Sequence, residues 1–295
     1  MQQITEHCVC VYAAAHVIKT IPTTDNYVLG VTSVEDKLFV LLFQTDNQIA
    51  VYSMDDYQLL RRLNVPGLEP IERNDMTSCV RHKCLYMSDN SNRCIHRYEL
   101  CKKLSAKIKR TVGLRAGNRI NKWPVPGKPC GLSVTPSCNL LVTCQGEPNK
   151  LVELSADSGQ FVREIELQSD ILCPRHSVQL TTGQYVVCNS GDFRRACVVG
   201  ADGEVTHSYS GQSGSDVGQI NSPSYLAEDK DSKFVYLCVG DCFNARLMKL
   251  SPTLEFEHDV VDGHGLSFPN RLHFHQATQR LFVGQWSDGV AVVQL

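Results

Sequence analysis

Six short apolar runs punctuate the chain: Leu38-Phe39-Val40, Leu85-Tyr86-Met87, Leu140-Leu141-Val142, Tyr185-Val186-Val187, Val235-Tyr236-Leu237 and Leu281-Phe282-Val283. Their first residues lie 47, 55, 45, 50 and 46 positions apart. After each run comes a polar loop, an alternating run, a turn and a third run. In the third unit four strand-sized pieces can be marked: Pro129–Thr135, Asn139–Cys144, Lys150–Ala156 and Phe161–Leu167. Turn chemistry separates them at Pro136-Ser137, Gly146-Glu147-Pro148 and Asp157-Ser158-Gly159. The last piece, Phe-Val-Arg-Glu-Ile-Glu-Leu, alternates at period two for most of its length, as a half-exposed outer strand does. The second is apolar on both faces, as a strand packed between two sheets must be. No stretch carries a helical period with caps.

A period near 50 residues with four strands per unit is that of β-propeller blades. The fold class is therefore all-β, a six-bladed β-propeller in one domain over 1–295. The blades fall near 27–66, 75–126, 129–168, 172–211, 221–262 and 268–295. The sixth unit holds only three strands, Asn270–Phe274, Arg280–Trp286 and Gly289–Leu295. An unassigned strand at His16–Ile21, within 15–22, supplies the fourth. Closure of that kind removes an open sheet edge.

The remaining bulk properties narrow the class. Of the 295 residues 42% are apolar and 20% charged, a globular composition, and the formal charge of −2 gives no general pull towards nucleic acid or anionic membrane. No apolar run is long enough to cross a bilayer, and Cys8–Ala15 follows no basic segment, so it makes a poor signal peptide. Among the fourteen cysteines, several (Cys144, Cys188, Cys238) lie inside apolar strand-like runs. They are expected to be reduced thiols packing as small hydrophobes in a cytoplasmic protein.

Two loops after second strands read Ser88-Asp89-Asn90-Ser91-Asn92-Arg93-Cys94-Ile95 and Gly240-Asp241-Cys242-Phe243-Asn244-Ala245-Arg246-Leu247. This pattern resembles the NHL repeat, with an Asp, an Asn three residues on, an Arg two further and then an aliphatic. Asn221-Ser222-Pro223-Ser224-Tyr225-Leu226-Ala227 and Phe268-Pro269-Asn270-Arg271-Leu272 resemble the proline-led start of an NHL blade. Cys94 stands in the arginine slot of the first loop, with Arg93 one position early. The resemblance implies a propeller like the C-terminal one of tripartite-motif NHL proteins. That family includes scaffolds, RNA binders and an amidating lyase, so the fold does not choose among them. Asp89, Asp241 and Arg246 are expected to tie strand pairs together through charge-assisted hydrogen bonds.

Three groups of residues are candidates for function. The loops after the second strands and between blades share one face, where the pattern places Arg93, Trp123, Lys150, Arg175, His176, Arg194, Arg195, Arg246, Arg271 and Trp286. Arginine with tryptophan is the composition of interaction hot spots. Between Cys101 and Trp123 lie Lys102, Lys103, Lys107, Lys109, Arg110, Arg115, Arg119 and Lys122, with no acidic residue. Such a run attracts phosphate backbones. The third group is histidine. His273 and His275 lie two apart on one strand, and Arg175-His176-Ser177-Val178 faintly resembles a metal-binding blade start in the amidating lyase. A catalytic zinc needs three converging ligands, and the slots matched to His176 (Gly131, Ser224, Arg271) offer none. Glu147, Asp192, Asp241 and Asp288 on the loops could in principle gather at the channel mouth, a cluster that a calcium or zinc lactonase would need. No nucleophile elbow, phosphate loop, dinucleotide fingerprint or H-E-x-x-H motif is present.

The expectation is a non-enzymatic binding or scaffold module for a protein partner. It would have no cofactor and no metal, make no membrane contact, and be monomeric as an isolated domain. RNA binding through a basic surface, Lys102–Lys122 with the loop arginines, is the first alternative, and a metal-dependent propeller lyase or hydrolase the second.

Overall fold

A computed structural model describes residues 15–23, 27–43, 48–68, 71, 73–100, 120–191, 194–209, 216–239, 245–261 and 265–295. The apolar runs form the second strand of each blade and are buried on both faces, because each is flanked by a neighbouring sheet on either side. The fourth strands carry the exposed residues: Leu59–Asn64 and Phe161–Glu166 each bury a single side chain.

In chain order the strands are β1 (His16–Ile21), then β2 (Val28–Val34), β3 (Lys37–Leu42), β4 (Gln48–Ser53) and β5 (Leu59–Asn64) of the first blade. The second blade is β6 (Met76–Cys79), β7 (Cys84–Asp89), β8 (Cys94–Glu99) and β9 (Ile120–Pro124). The third is β10 (Lys128–Val134), β11 (Leu140–Gln145), β12 (Lys150–Leu154) and β13 (Phe161–Glu166). The fourth is β14 (Pro174–Gln179), β15 (Tyr185–Asn189), β16 (Arg195–Val199) and β17 (Val205–Tyr209). The fifth is β18 (Pro223–Glu228), β19 (Val235–Val239), β20 (Arg246–Leu250) and β21 (Phe256–Val261). The sixth is β22 (Pro269–His275), β23 (Arg280–Gln285) and β24 (Val290–Gln294), completed by β1. Each sheet has four antiparallel strands in sequence order apart from that last addition. The inner strands β2, β6, β10, β14, β18 and β22 neighbour one another in turn, and β22 packs on β2, so the ring is closed.

The closing strand pairs antiparallel to β24, from His16 opposite Gln294 to Ile21 opposite Val290. Ile21 is 1% exposed and packs with Val28, Phe282 and Val290 across the junction of the sixth and first blades. Six apolar clusters fill the six junctions between blades, so the core is a ring of wedges around a polar axis. The ten described cysteines are free thiols, and all but Cys138 and Cys173 are buried.

Candidate functional site

The site is built on a recurrent backbone irregularity. In five blades the pairing of first and second strands shifts just after the first strand begins, between Val28 and Gly30, Pro129 and Gly131, Pro174 and His176, Pro223 and Tyr225, and Pro269 and Arg271. Bulges re-aim the side chain beside them. Gly30, Gly131, His176, Tyr225 and Arg271 therefore share one level of the channel, and Asp75, opposite Ser88 just before β6, takes that place in the remaining blade. The small residues leave room for the large ones. A β-carbon on Gly131 would lie 2.5 Å from the Arg175 carbonyl oxygen and 2.8 Å from the His176 α-carbon. This level corrects the sequence alignment by one residue in the fifth blade, where Tyr225 and not Ser224 matches His176.

Asp75 lies at the centre of this level and is fully buried. Its carboxylate accepts hydrogen bonds from the Tyr225 hydroxyl (2.9 Å), the Leu132 amide (2.7 Å) and the Met76 amide (2.7 Å). Arg271 Nε lies 3.6 Å away. That guanidinium donates to the carbonyls of Leu29 (2.6 Å), Asn270 (2.7 Å) and Asn74 (2.8 Å). Five of the six blades thus meet at one carboxylate and its neighbours. Burial pushes the Asp75 carboxyl up to about 6, against the opposing pull of Arg271. The His176 ring stacks on Tyr225 at 3.6 Å, and its Nε2 lies 3.1 Å from the Leu132 carbonyl oxygen. A carbonyl only accepts, so Nε2 carries the proton. Burial holds His176 neutral, down to about 3. Burial also raises the Tyr225 phenol well above its usual range.

This polar plug is the floor of a funnel with a cavity volume of about 590 Å³, which opens among the turns between first and second strands. Hydroxyls line part of its wall. Thr32 Oγ1 lies 2.7 Å from Ser78 Oγ, Ser78 Oγ donates to the Ser33 carbonyl (2.8 Å), and Ser33 Oγ lies 2.7 Å from His273 Nε2. Met76, Leu132, Val178 and Phe274 supply apolar wall, and Glu228 and Lys230 stand near the rim. Burial raises the Glu228 carboxyl and lowers His273 to about 3. His275 faces the same junction, and its Nδ1 lies 2.8 Å from the Thr278 hydroxyl. In the plug and along this wall the histidines hydrogen-bond backbone or hydroxyl groups, and among the described residues none of them belongs to a trio of potential metal ligands.

We expect Tyr225→Phe to cost about 1–3 kcal/mol, since it leaves a buried carboxylate short of a donor. Urea denaturation measures this, and an unchanged midpoint would mean that the plug does not stabilise the ring.

The loop face predicted to carry binding residues lies at the other end of the channel. Arg93 is exposed, with φ +49°, in the turn between β7 and β8, and Arg194 is exposed before β16. Lys150 pairs with Glu164 at 2.8 Å and Arg195 with Asp170 at 2.5 Å. Trp123, Arg246, Arg271 and His176 are buried. Trp123 fills the junction of the second and third blades against Tyr86, ring centroids 5.8 Å apart. Arg246 reaches Asp259 (3.3 Å) and donates to the Asp216 carbonyl (2.8 Å), the strand-tying role read from its motif. Trp286 is half-buried and belongs to an aromatic group that the sequence reading missed. Tyr27 lies 4.9 Å from Trp286 and 5.9 Å from Phe43, ring to ring, while the Trp286 amide bonds to the Phe268 carbonyl. Tyr27 is 39% and Phe268 45% exposed.

Of the basic run, Lys102, Lys103, Lys107, Lys109, Arg110, Arg115 and Arg119 lie outside the described residues, as do Asp192 and Asp241. Lys122 is exposed and donates to the Gly67 carbonyl (3.1 Å). Glu147 and Asp288 are exposed on separate loops. Asp89, Cys94 and His96 place potential metal-ligand atoms within 4.8 Å of one another, all buried. Asp89 already accepts from the Asn92 amide, Asn92 Nδ2 and His96 Nε2, each at 3.0 Å. Asp89, with Asn92 and His96 as its donors, therefore works as a latch on the β7–β8 turn.

No protein-family profile matches the chain, and no curated protein sequence does. Solved structures do match. A protein of unknown function from Bacteroides thetaiotaomicron superposes with a TM-score of 0.68 at 12% identity, over 95% of this chain and 76% of that one. Another, from Bacteroides caccae, gives 0.63 at 14% identity, over 86% and 84%. A catalytically inactive variant of virginiamycin B lyase from Staphylococcus aureus, solved with quinupristin, gives 0.60 at 13% identity, over 92% and 82%. At such identities the likeness is one of fold, and the chain is a six-bladed β-propeller.

Proposed function

We propose that this chain is a non-enzymatic recognition module that engages a protein partner through the loop face of the propeller. The observation that carries this reading is the ring contact of Tyr27 with Phe43 and Trp286 at the junction of the sixth and first blades, beside exposed Phe268, whose backbone bonds to that of Trp286. Exposed aromatics grouped on a rigid surface are the usual anchors of protein interfaces. Phe268 is 45% exposed and has a left-handed backbone, φ +48°, a conformation an L-residue adopts at a cost. A binding role also accords with the chemistry of the channel plug, where Asp75, His176 and Arg271 all have hydrogen-bond partners.

The test is a tagged full-length chain expressed in its native cells, with complexes resolved by size and compared between variants. Tyr27→Ser with Trp286→Ser should weaken partner association about tenfold or more while the melting curve keeps its shape. Phe161→Ser, which alters an exposed aromatic on outer strand β13, should leave association intact. Complexes that survive the double change would reject the reading.

A second reading is favoured by the funnel. A cavity of about 590 Å³ with mixed hydroxyl and apolar walls is of the size that holds a small molecule. Binding there would use the opposite face and leave the aromatic group free.

A further inference from the structure

Charge in the funnel is confined to its rim. Glu35, Arg81 and Lys230 are exposed there, and Glu228 is half-buried. Glu35 is paired with Lys83. Burial raises the Glu228 carboxyl, against the pull of Lys230, of a hydrogen bond from the Thr181 backbone and of Lys233. Between rim and floor the described lining holds no other acidic side chain, and its only basic ones are histidines. Burial keeps His176 and His273 neutral, each down to about 3, and also lowers His275. An ion seated deep in the funnel would meet no counter-charge, and an unpaired buried charge is costly. The funnel therefore favours an uncharged occupant.

The wall is rich in groups that both donate and accept. The Thr32–Ser78 pair bridges the first and second blades, and the Ser33–His273 pair bridges the first and sixth. A hydroxyl offers one donor and two acceptor sites, and a neutral imidazole offers one of each. Ser78 and His273, with Ser133 of the third blade, line the funnel and are only half-buried. Ser133 Oγ and Glu228 Oε1 are buried oxygens with no hydrogen-bond partner among the described residues, so the wall holds hydrogen-bonding capacity that its own groups leave unused. Met76, Leu132, Val178 and Phe274 interleave apolar surface. An occupant matched to such a wall carries several hydroxyls on an apolar frame. A saturated ring with hydroxyls on its edge and C–H groups on its faces has that form, and a cavity of about 590 Å³ has room for it.

We propose that the funnel binds an uncharged polyhydroxylated ring, a monosaccharide or a cyclitol, through Ser78, Ser133 and His273. This inference rests on the second reading above, in which the funnel takes a small molecule. It is independent of the aromatic group on the loop face.

The experiment uses the full chain in a buffer free of glycerol and Tris. The probes are glucose, galactose and myo-inositol as neutral polyols, glucosamine and glucuronate as charged analogues, and cyclohexanol as a ring with a single hydroxyl. Sugars stabilise proteins generally by exclusion from their surface, so calorimetric titration and ligand-observed magnetic resonance are the readouts in place of melting. At least one neutral polyol should bind at a single site with a Kd on the order of 1 mM or below. Ser133→Ala should weaken it about three- to tenfold, the value of one hydrogen bond, and should not lower the melting temperature of the free protein, since this hydroxyl has no partner to lose. A residue that served only the wall's packing would lower that temperature and leave the affinity alone. Ser133→Leu, which adds bulk to the wall without charge, should abolish binding. Ser208→Ala, on exposed outer strand β17, should behave as the parent. Tighter binding of myo-inositol than of either sugar would assign the site to a cyclitol, and the reverse to a monosaccharide. The proposal is overturned, with the funnel reading intact, if cyclohexanol or a charged analogue binds at least as tightly as every neutral polyol and Ser133→Leu blocks it. Both fall if no probe binds, or if all binding survives Ser133→Leu.

Discussion

A chain lacking residues 1–22 is expected to lose its cooperative melt and most of its soluble yield. Without β1 the five residue pairs between β1 and β24 disappear, and the backbone edge of β24 is bared. Ile21 leaves the junction it shares with Val28, Phe282 and Val290. Truncating a buried isoleucine alone costs about 2–5 kcal/mol. A domain's net stability is only about 5–15 kcal/mol, so the lost pairing brings the remainder near zero. An open strand edge also invites association between copies. Ile21→Ala separates the two effects, since it keeps the edge covered and should lower stability by the packing share alone. Denaturant melts and light scattering on both proteins decide the matter. A truncated chain that stays monomeric with the parental midpoint would show that closure contributes nothing.

His176→Gln should alter the response to acid by about 3 kcal/mol between pH 6.5 and 4. The His176 imidazole is fully buried, and its folded value of about 3 lies below the ordinary 6.5. Its stabilising share is present in full above pH 6.5 and is lost as the pH falls towards 3, because the unfolded chain takes up the proton first. Asp75 acts in the opposite sense. Its folded value of about 6 lies above the ordinary 3.8, so its share is complete below about pH 4 and is lost as the pH rises through 6. The two slopes oppose each other in the parent protein. His273 adds to the histidine side, though its ring borders the funnel, where water softens the cost. With Gln at 176, the advantage of the parent at pH 7 should shrink as the pH falls to 4. Urea melts at pH 7, 5.5 and 4 measure it. A difference between the two proteins that is constant with pH would show that the imidazole is not held neutral.

The sequence made the ring legible because each blade announces itself through local chemistry. Period-two alternation, turn residues and a doubly apolar second strand all report nearest-neighbour pairing, and His16–Ile21 was readable as the missing strand for the same reason. The site was far less legible. Asp75 sits in Asn74-Asp75, a polar pair that reads as a loop, and only convergence from five blades buries it. Tyr225 reads as ordinary blade core. Its place on the channel axis depends on the backbone irregularity after Pro223; the recurring proline marks where such a shift begins, but not which side chain it turns onto the axis. Among the loop-face residues, Arg246 and Trp123 are buried by partners in their own blades, Asp259 on the paired strand β21 and Tyr86 on β7. Tyr27, Phe43, Phe268 and Trp286 come from four separate connections, and sequence spacing has no means of bringing them together. The NHL-like loops were informative about structure, as the bonds of Asp89 and Arg246 show, while the resemblance to the family as a whole rests on those motifs alone.

The antiparallel pairing of β1 with β24 has a mechanical side. His16 and Gln294 lie opposite each other at one end of the ladder, so the two chain directions leave the ring at the same corner. Tension applied through neighbouring attachments there would not load all the backbone bonds at once, as it would in shear. It would peel the ladder one rung at a time, from His16 towards Ile21. A pull on both strands from that corner therefore opens the seam one residue pair at a time.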